Sequence, residues 1–248
     1  MDLIRTAYAF QVSPQWVDFR YKITLSALTD VLLTAAQYNA DENGFGIRDL
    51  QLNQSSWVLL RFALEMDYMP EQYDTITVDT WIHSIGRVST TRNFSIRNEK
   101  GECIGHAISN WAMIDMQTRK AMDLMTLQSI RQYVDDNDVP IARPAKLNAV
   151  KGEVFDTFRA RYSHIDINQH VNTMRYVEWI CNYFDLDHYS HHHLKRFDIN
   201  FLAEILIGDS VEMVAACTAP GDFSFEILNN GASGCRARLI FESLHSSN

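Results

Sequence analysis

The chain is short of positive charge, poor in cysteine and without a long apolar run. Its 248 residues carry 22 Lys and Arg against 31 Asp and Glu, a formal net charge of −9. That balance argues against general nucleic-acid binding, which needs a basic footprint. An acidic protein partner would have to meet a local basic patch. The four cysteines, Cys103, Cys181, Cys217 and Cys235, lie far apart with no paired spacing. No disulfide framework or cysteine-based zinc site follows from them, and they are expected to be buried, reduced thiols of a cytoplasmic protein. No apolar stretch reaches the length of a bilayer-crossing helix. The opening MDLIRTAYAFQV has no basic segment followed by a long apolar core, so no secretion signal is expected.

What remains is ordinary globular material, 46% hydrophobic and 21% charged, enough for one large domain or two modest ones. The most informative stretch is YSHIDINQHVNTMRYVEWICNYF, residues 162–184. Asp166, Asn168 and His170 stand at alternate positions, separated by Ile167 and Gln169. On an extended segment alternate side chains share a face, which here would carry a carboxylate, an amide and an imidazole. An amphipathic helix follows, and its first turn offers backbone N–H groups and the positive end of a dipole. Such a set can activate a water and hold an oxyanion. Loop chemistry with Asn172 or Thr173 capping the helix is the plainer account of the same residues.

The chain reads as one pattern written twice. A strand region (5–23) leads to the apolar helix ALTDVLLTAAQY, then to β-rich runs at 55–64, 75–85, 90–98 and 103–115, with NEKG as a hairpin turn. In the second half a strand (153–162) leads to the helix after His170, then to runs at 193–202, 210–217, 223–228 and 235–244, with NNG as the turn. Arg20-Tyr21 aligns with Arg161-Tyr162, and Thr29 with Thr173. Arg61-Phe62 precedes Asp74 by 13 residues, as Arg196-Phe197 precedes Asp209. Duplication explains these agreements better than coincidence. Between Tyr21 and Thr29 the first half reads KITLSAL, without Asp, Asn or His, so only the second half is expected to carry chemistry. The first half's apolar helix suits a pocket wall. The stretch 126–153, rich in Asp, Asn and Pro, should be a surface connection with a short helix at SIRQYV and a boundary near 136–150.

A helix wrapped by a long antiparallel sheet, duplicated, is the hotdog architecture, and the motif resembles the acyl-[acyl-carrier-protein] thioesterase family of plant plastids and bacteria. The family pattern Asp-x-Asn-x-His-Val-Asn, then an aromatic and a Trp, is matched by Asp166, Asn168, His170, Val171, Asn172, Tyr176 and Trp179. DTWIHSIGRVSTTR (79–92) and SNWAMID (109–115) resemble its first-half strands, so the likeness spans nearly the whole chain. A family Glu on a later strand, before Gly-x-Asp-Ser-Val, corresponds to Glu204 with one inserted residue. Ile205 stands where many plant members have Cys, which leaves a thiol nucleophile unsupported. No plastid transit segment is seen, as suits a bacterial cytoplasmic member.

The resemblance implies an α+β tandem (double) hotdog, with a non-catalytic, pocket-forming domain at 1–138 and a catalytic domain at 150–248. It implies hydrolysis of fatty acyl-acyl carrier protein to free fatty acid and holo-carrier, without cofactor or metal. Asp166, Asn168, His170 and Glu204 form the expected site, with one carboxylate as base, His170 orienting the water or protonating the thiolate, and helix N–H groups as oxyanion donors. Arg87, Arg92, Lys195 and Arg196 are candidate docking cations for the acidic carrier. A straight strand would hold the Cα atoms of Asp166 and His170 about 13 Å apart, so the chain must bend near Asn168. His188 and His191 to His193 lack partners at metal-ligand spacing and are expected in a solvated loop. Cys181 is expected to pack. An acyl-CoA thioesterase, a hotdog dehydratase or hydratase, and a non-catalytic acyl-binding module are rival readings. Chain-length preference and oligomeric state, a homodimer included, stay open.

Overall fold

Thr24 accepts a hydrogen bond from the Ala27 N–H, and the run Leu25, Leu28, Val31, Leu32, Ala35 and Ala36 that follows is buried along one stripe. Cap and spacing make this segment an 18-residue helix. The structure, a computed structural model, describes residues 4–126 and 128–244. The first three residues of the N-terminal segment and the last four of the C-terminal range lie outside the described residues.

The elements run β1 (Thr6–Gln11), α1 (Leu25–Glu42), α2 (Ile47–Leu52), β2 (Ser55–Met66), β3 (Thr75–Ile85), β4 (Thr90–Arg97), β5 (Cys103–Asp115) and α3 (Gln128–Arg131). Then come β6 (Glu153–Arg159), α4 (Thr173–Cys181), α5 (Leu186–His191), β7 (His192–Phe201), β8 (Ser210–Ala219), β9 (Asp222–Asn229) and β10 (Ala232–Ser243). The ten strands among the described residues join one sheet in the order β1-β3-β4-β5-β2-β7-β10-β9-β8-β6, with every strand pairing antiparallel. The order reads the same from either edge once β1 is equated with β6, β3 with β8, β4 with β9, β5 with β10 and β2 with β7. A pseudo-twofold axis therefore passes between β2 and β7. β2 skips a residue against β5 between Leu59 and Arg61, and β7 skips one against β10 between Leu194 and Arg196, which bears out the Arg61/Arg196 correspondence. The sheet curls round α1 and α4, which touch. This is the tandem hotdog the resemblance implied.

One core fills both halves. Phe62, Leu64, Phe94 and Phe197 are fully buried with the helix stripe, and Phe62 and Phe197 meet across the seam at 6.4 Å between ring centroids. Each such side chain contributes roughly 1.5–3 kcal/mol by leaving water.

The connection after α3 is no loose linker. It crosses the outer face of the sheet and binds both halves. Asn137 O accepts from the Trp81 indole N–H at 2.9 Å. Further on, the Leu147 N–H donates to Asn200 at 2.9 Å and the Val150 N–H to Glu226 at 2.7 Å. Asp198, Asn200 and Glu226 are buried beneath it, where unpaired polar groups would be costly. The strap's backbone satisfies them.

Candidate active site

The segment at 166–170 is not extended. Asp166 Oδ1 accepts from the N–H groups of Asn168 at 2.8 Å and His170 at 3.3 Å. The Asp166 N–H donates to His170 O at 2.8 Å, and Gln169 takes a left-handed φ of 67°. A local side-chain turn of this kind outcompetes a strand ladder, so the required bend is present. The turn makes His170 pair with Leu206 in an isolated bridge. That contact brings in Glu204, which lies in the connection after β7 rather than on a strand. His170 Nε2 is 3.2 Å from Glu204 Oε2. The other oxygen, Oε1, is held by the Arg119 guanidinium.

Arg119 belongs to the first half and follows β5, and nothing local in the sequence pointed to it. Tyr176 is buried on α4, and burial pushes its phenol well above the ordinary value. The first turn of α4 is less open than expected. Asn172 Oδ1 takes the Met174 N–H at 2.8 Å, and Asn172 O takes that of Arg175 at 2.9 Å. Those donors are spent on capping, and Asn168, exposed at the turn's tip, is the better-placed amide.

The first half contains the same loop. Asp18 Oδ1 accepts from Arg20 N–H at 2.8 Å and Lys22 N–H at 3.4 Å, the Asp18 N–H donates to Lys22 O at 2.8 Å, and Tyr21 has φ 61°. Lys22 forms the bridge, to Glu71, that His170 forms to Leu206. Asp18, Arg20 and Lys22 are thus the counterparts of Asp166, Asn168 and His170. The sequence alignment of Arg20-Tyr21 with Arg161-Tyr162 was seven residues out of register, because backbone hydrogen bonds, not residue identity, define the repeat here. Thr29 likewise does not match Thr173, since Thr24 and Asn172 are the equivalent helix caps.

A cavity of about 230 Å³ opens between α1 and the first-half sheet, walled by Leu33, Ala36, Phe45, Trp57, Ile82 and Trp111. Ile167 and Asn168 line it from the second half. Asp30 also lines it, and burial raises that carboxyl above its ordinary range. The site loop of one half therefore meets the pocket of the other.

The four proposed docking cations divide. Arg92 is 5% exposed in the wall of this cavity, bonded to Asn39 at 2.8 Å and Thr80 at 3.2 Å, and burial brings it down to about 10. Arg196 is held between Glu65 and Asp198 and donates to Ala142 O on the strap. In both, groups of the chain itself already engage the guanidinium. Arg87 pairs with Asp123 at 2.9 Å and Lys195 with Asp67 at 3.5 Å, and both side chains keep substantial exposure.

Two further expectations change. Cys103 and Cys217 are exposed, Cys181 is half-buried and only Cys235 is buried, so the thiols are not a buried set. Burial pushes the Cys181 thiol up to about 12, which suits packing and not nucleophilic attack. The histidine cluster is not a solvated loop. It spans α5 and the start of β7, where the His188 ring stacks on Phe184 at 4.5 Å and on His192 at 4.4 Å. Among the described residues no group of three or more His, Cys, Asp or Glu is placed to hold a metal ion, and no helix is long and apolar enough to cross a membrane.

Comparison with known proteins matches residues 5–128 to the acyl-ACP thioesterase N-terminal domain and residues 147–243 to the acyl-ACP thioesterase C-terminal domain. The oleoyl-acyl carrier protein thioesterase 2, chloroplastic, of Arabidopsis thaliana is 24% identical, over 76% of this chain and 55% of its own. The palmitoyl-acyl carrier protein thioesterase, chloroplastic, of the same plant is 30% identical, over 50% and 32%. The chain spans about half or less of the length of these curated relatives. A solved acyl-ACP thioesterase from Bacteroides thetaiotaomicron is 36% identical with a TM-score of 0.92, covering 96% of this chain and 98% of that one. A 12:0-ACP thioesterase from Umbellularia californica, at 20% identity, shares the fold with a TM-score of 0.86, over 97% and 98%.

Proposed function

The chain belongs to the acyl-ACP thioesterase family, and from that premise we propose that it hydrolyses fatty acyl-acyl carrier protein to free fatty acid and holo-carrier in the cytoplasm of a bacterium. The observation that carries the proposal is the chain of contacts Arg119–Glu204–His170 beside a loop whose Asn168 lines an apolar cavity. Both Glu204 oxygens are engaged, so the carboxylate is better suited to orient His170 than to take a proton. With Nε2 turned to Glu204, the neutral imidazole keeps the lone pair on Nδ1 for a water.

In this mechanism His170 removes a proton as the water oxygen attacks the thioester carbonyl, and Glu204 stabilises the imidazolium. Asn168 donates to the oxyanion. Collapse breaks the C–S bond, and the imidazolium proton passes to the departing thiolate. Asp166 holds the turn, and Arg119 holds Glu204 from the opposite half. We place the acyl chain in the cavity of the first half, within the proposed 1–138 unit, and the chemistry in the proposed 150–248 unit. Arg87 and Lys195 are the remaining candidates for steering the acidic carrier.

The test compares hydrolysis of a carrier-linked acyl series and the matching CoA esters by wild type and Glu204→Gln. Expected are preferential turnover of carrier-linked chains and a loss in kcat on the order of 10²-fold or more in the variant. Equal or better turnover of CoA esters would move the assignment to an acyl-CoA thioesterase. Absence of wild-type hydrolysis of either class would point to a non-catalytic acyl-binding protein.

A further inference from the structure

A second cavity, about 520 Å³, lies on the other side of the molecule, walled by Leu25, Met69, Phe184, Leu194, Leu239 and Phe241. It is the pseudo-twofold image of the first. The correspondence of Asp18–Lys22 with Asp166–His170 places Phe19 and Arg20 where Ile167 and Asn168 line the first cavity. The helix correspondence fixed by the two caps puts Cys181, Asn182 and Phe184 where α1 offers Leu33, Thr34 and Ala36. Strand pairing equates His192 with Trp57 and Phe241 with Trp111, and all four line their cavities. The volume lies within the usual range of small-molecule sites.

What differs is the mouth. Arg20 stands for Asn168, Lys22 for His170, and Met69 for Glu204, with Glu71 and Asp67 as added carboxylates, Asp67 facing Lys195 at 3.5 Å. These exchanges remove the groups for water activation and leave two cations, Arg20 and Lys22, in place of the amide and the imidazole. Arg20 pairs with Asp18 and Lys22 with Glu71, 61% exposed. Exposed pairs contribute little, so Lys22 can exchange Glu71 for another carboxylate at small cost.

We propose that this second cavity is a non-hydrolytic binding site for a free fatty acid, its chain among the aromatic and aliphatic walls and its carboxylate on Lys22. The site needs no hydrolysis at the first cavity and stands even if the chain cleaves nothing.

Photolabelling of the full chain with a diazirine-bearing dodecanoate, followed by peptide mapping, tests it directly. Expected are labels at residues 19–25, 181–194 or 239–244. Lys22→Gln, a surface change that should leave the fold intact, is expected to weaken that labelling about tenfold, the loss of one charge-assisted hydrogen bond. Leu239→Trp is expected to abolish it, with thioester hydrolysis unchanged in both variants. Labelling confined to residues 30–47 and 82–111 would overturn the proposal. So would labelling by the matching fatty alcohol as strong as by the acid, or labelling insensitive to Lys22→Gln.

Discussion

The loops at 18–22 and 166–170 share a backbone and differ in chemistry. In each an aspartate folds the turn by accepting two N–H groups, and in each the fifth residue reaches across to the connection before the next strand. Only the second pairs a histidine with a carboxylate there. The comparison teaches what each member is for. An aspartate present in both loops is explained by the turn. A histidine and a glutamate present in only one are not explained by the fold, and that is where chemistry is to be sought.

The most severe way to break the comparison is to make the second loop resemble the first. Asn168→Arg together with His170→Lys should leave the fold and melting temperature near wild type while lowering kcat on acyl-carrier substrate on the order of 10³-fold. Loss of less than tenfold would remove His170 from the mechanism. A milder exchange sharpens the role of aspartate. Asp166→Asn keeps an acceptor for the turn and should cost no more than about tenfold in kcat. Asp18→Ala should lower stability by about 1–2 kcal/mol, from two lost backbone hydrogen bonds, with kcat unchanged. A collapse of activity in Asp166→Asn comparable with that of His170→Gln would instead make Asp166 a proton acceptor.

The smallest effect concerns acid stability. Asp74 and Asp209 are equivalent turn carboxylates, accepting from Glu71 N–H at 2.8 Å and Leu206 N–H at 2.9 Å. The Leu206 N–H, and then Asn230 and Asn229, hold the Asp209 carboxyl below its ordinary value. A carboxyl depressed in the folded state stabilises it above the unfolded value, and that contribution is lost as pH falls through the lower folded one. Melting curves of Asp209→Asn should therefore fall less steeply than wild type below about pH 4. Parallel acid limbs would remove Asp209 from the acid response.

Much of this was legible in residue order. The β-rich runs between turn residues announced the strands, and the helical spacing of Leu28, Leu32, Ala35 and Ala36 announced α1. The equal spacing of Arg61 to Asp74 and Arg196 to Asp209 matched equivalent strands of the two halves, because a duplicated strand and turn keep their length. The duplication was visible, yet its loops were aligned out of register, since Asp18-x-Arg-x-Lys and Asp166-x-Asn-x-His share hydrogen bonds and little else. Burial of Arg92 and Arg196 was invisible for a related reason. A guanidinium is charged in the sequence whether it faces water or a buried Asn39 or Asp198.

Residue order by itself determined the element sequence and the two-half plan, which rest on periodicity and turn chemistry, and the motif at 166–179 carried the resemblance that pointed to the family and to Glu204. Tertiary structure alone decided that Arg119 closes on Glu204, that the connection is a strap, that each loop faces the other half's cavity, and that a second cavity survives. Those are contacts between residues many tens of positions apart, brought together by strand pairing and a pseudo-twofold axis that no local pattern encodes.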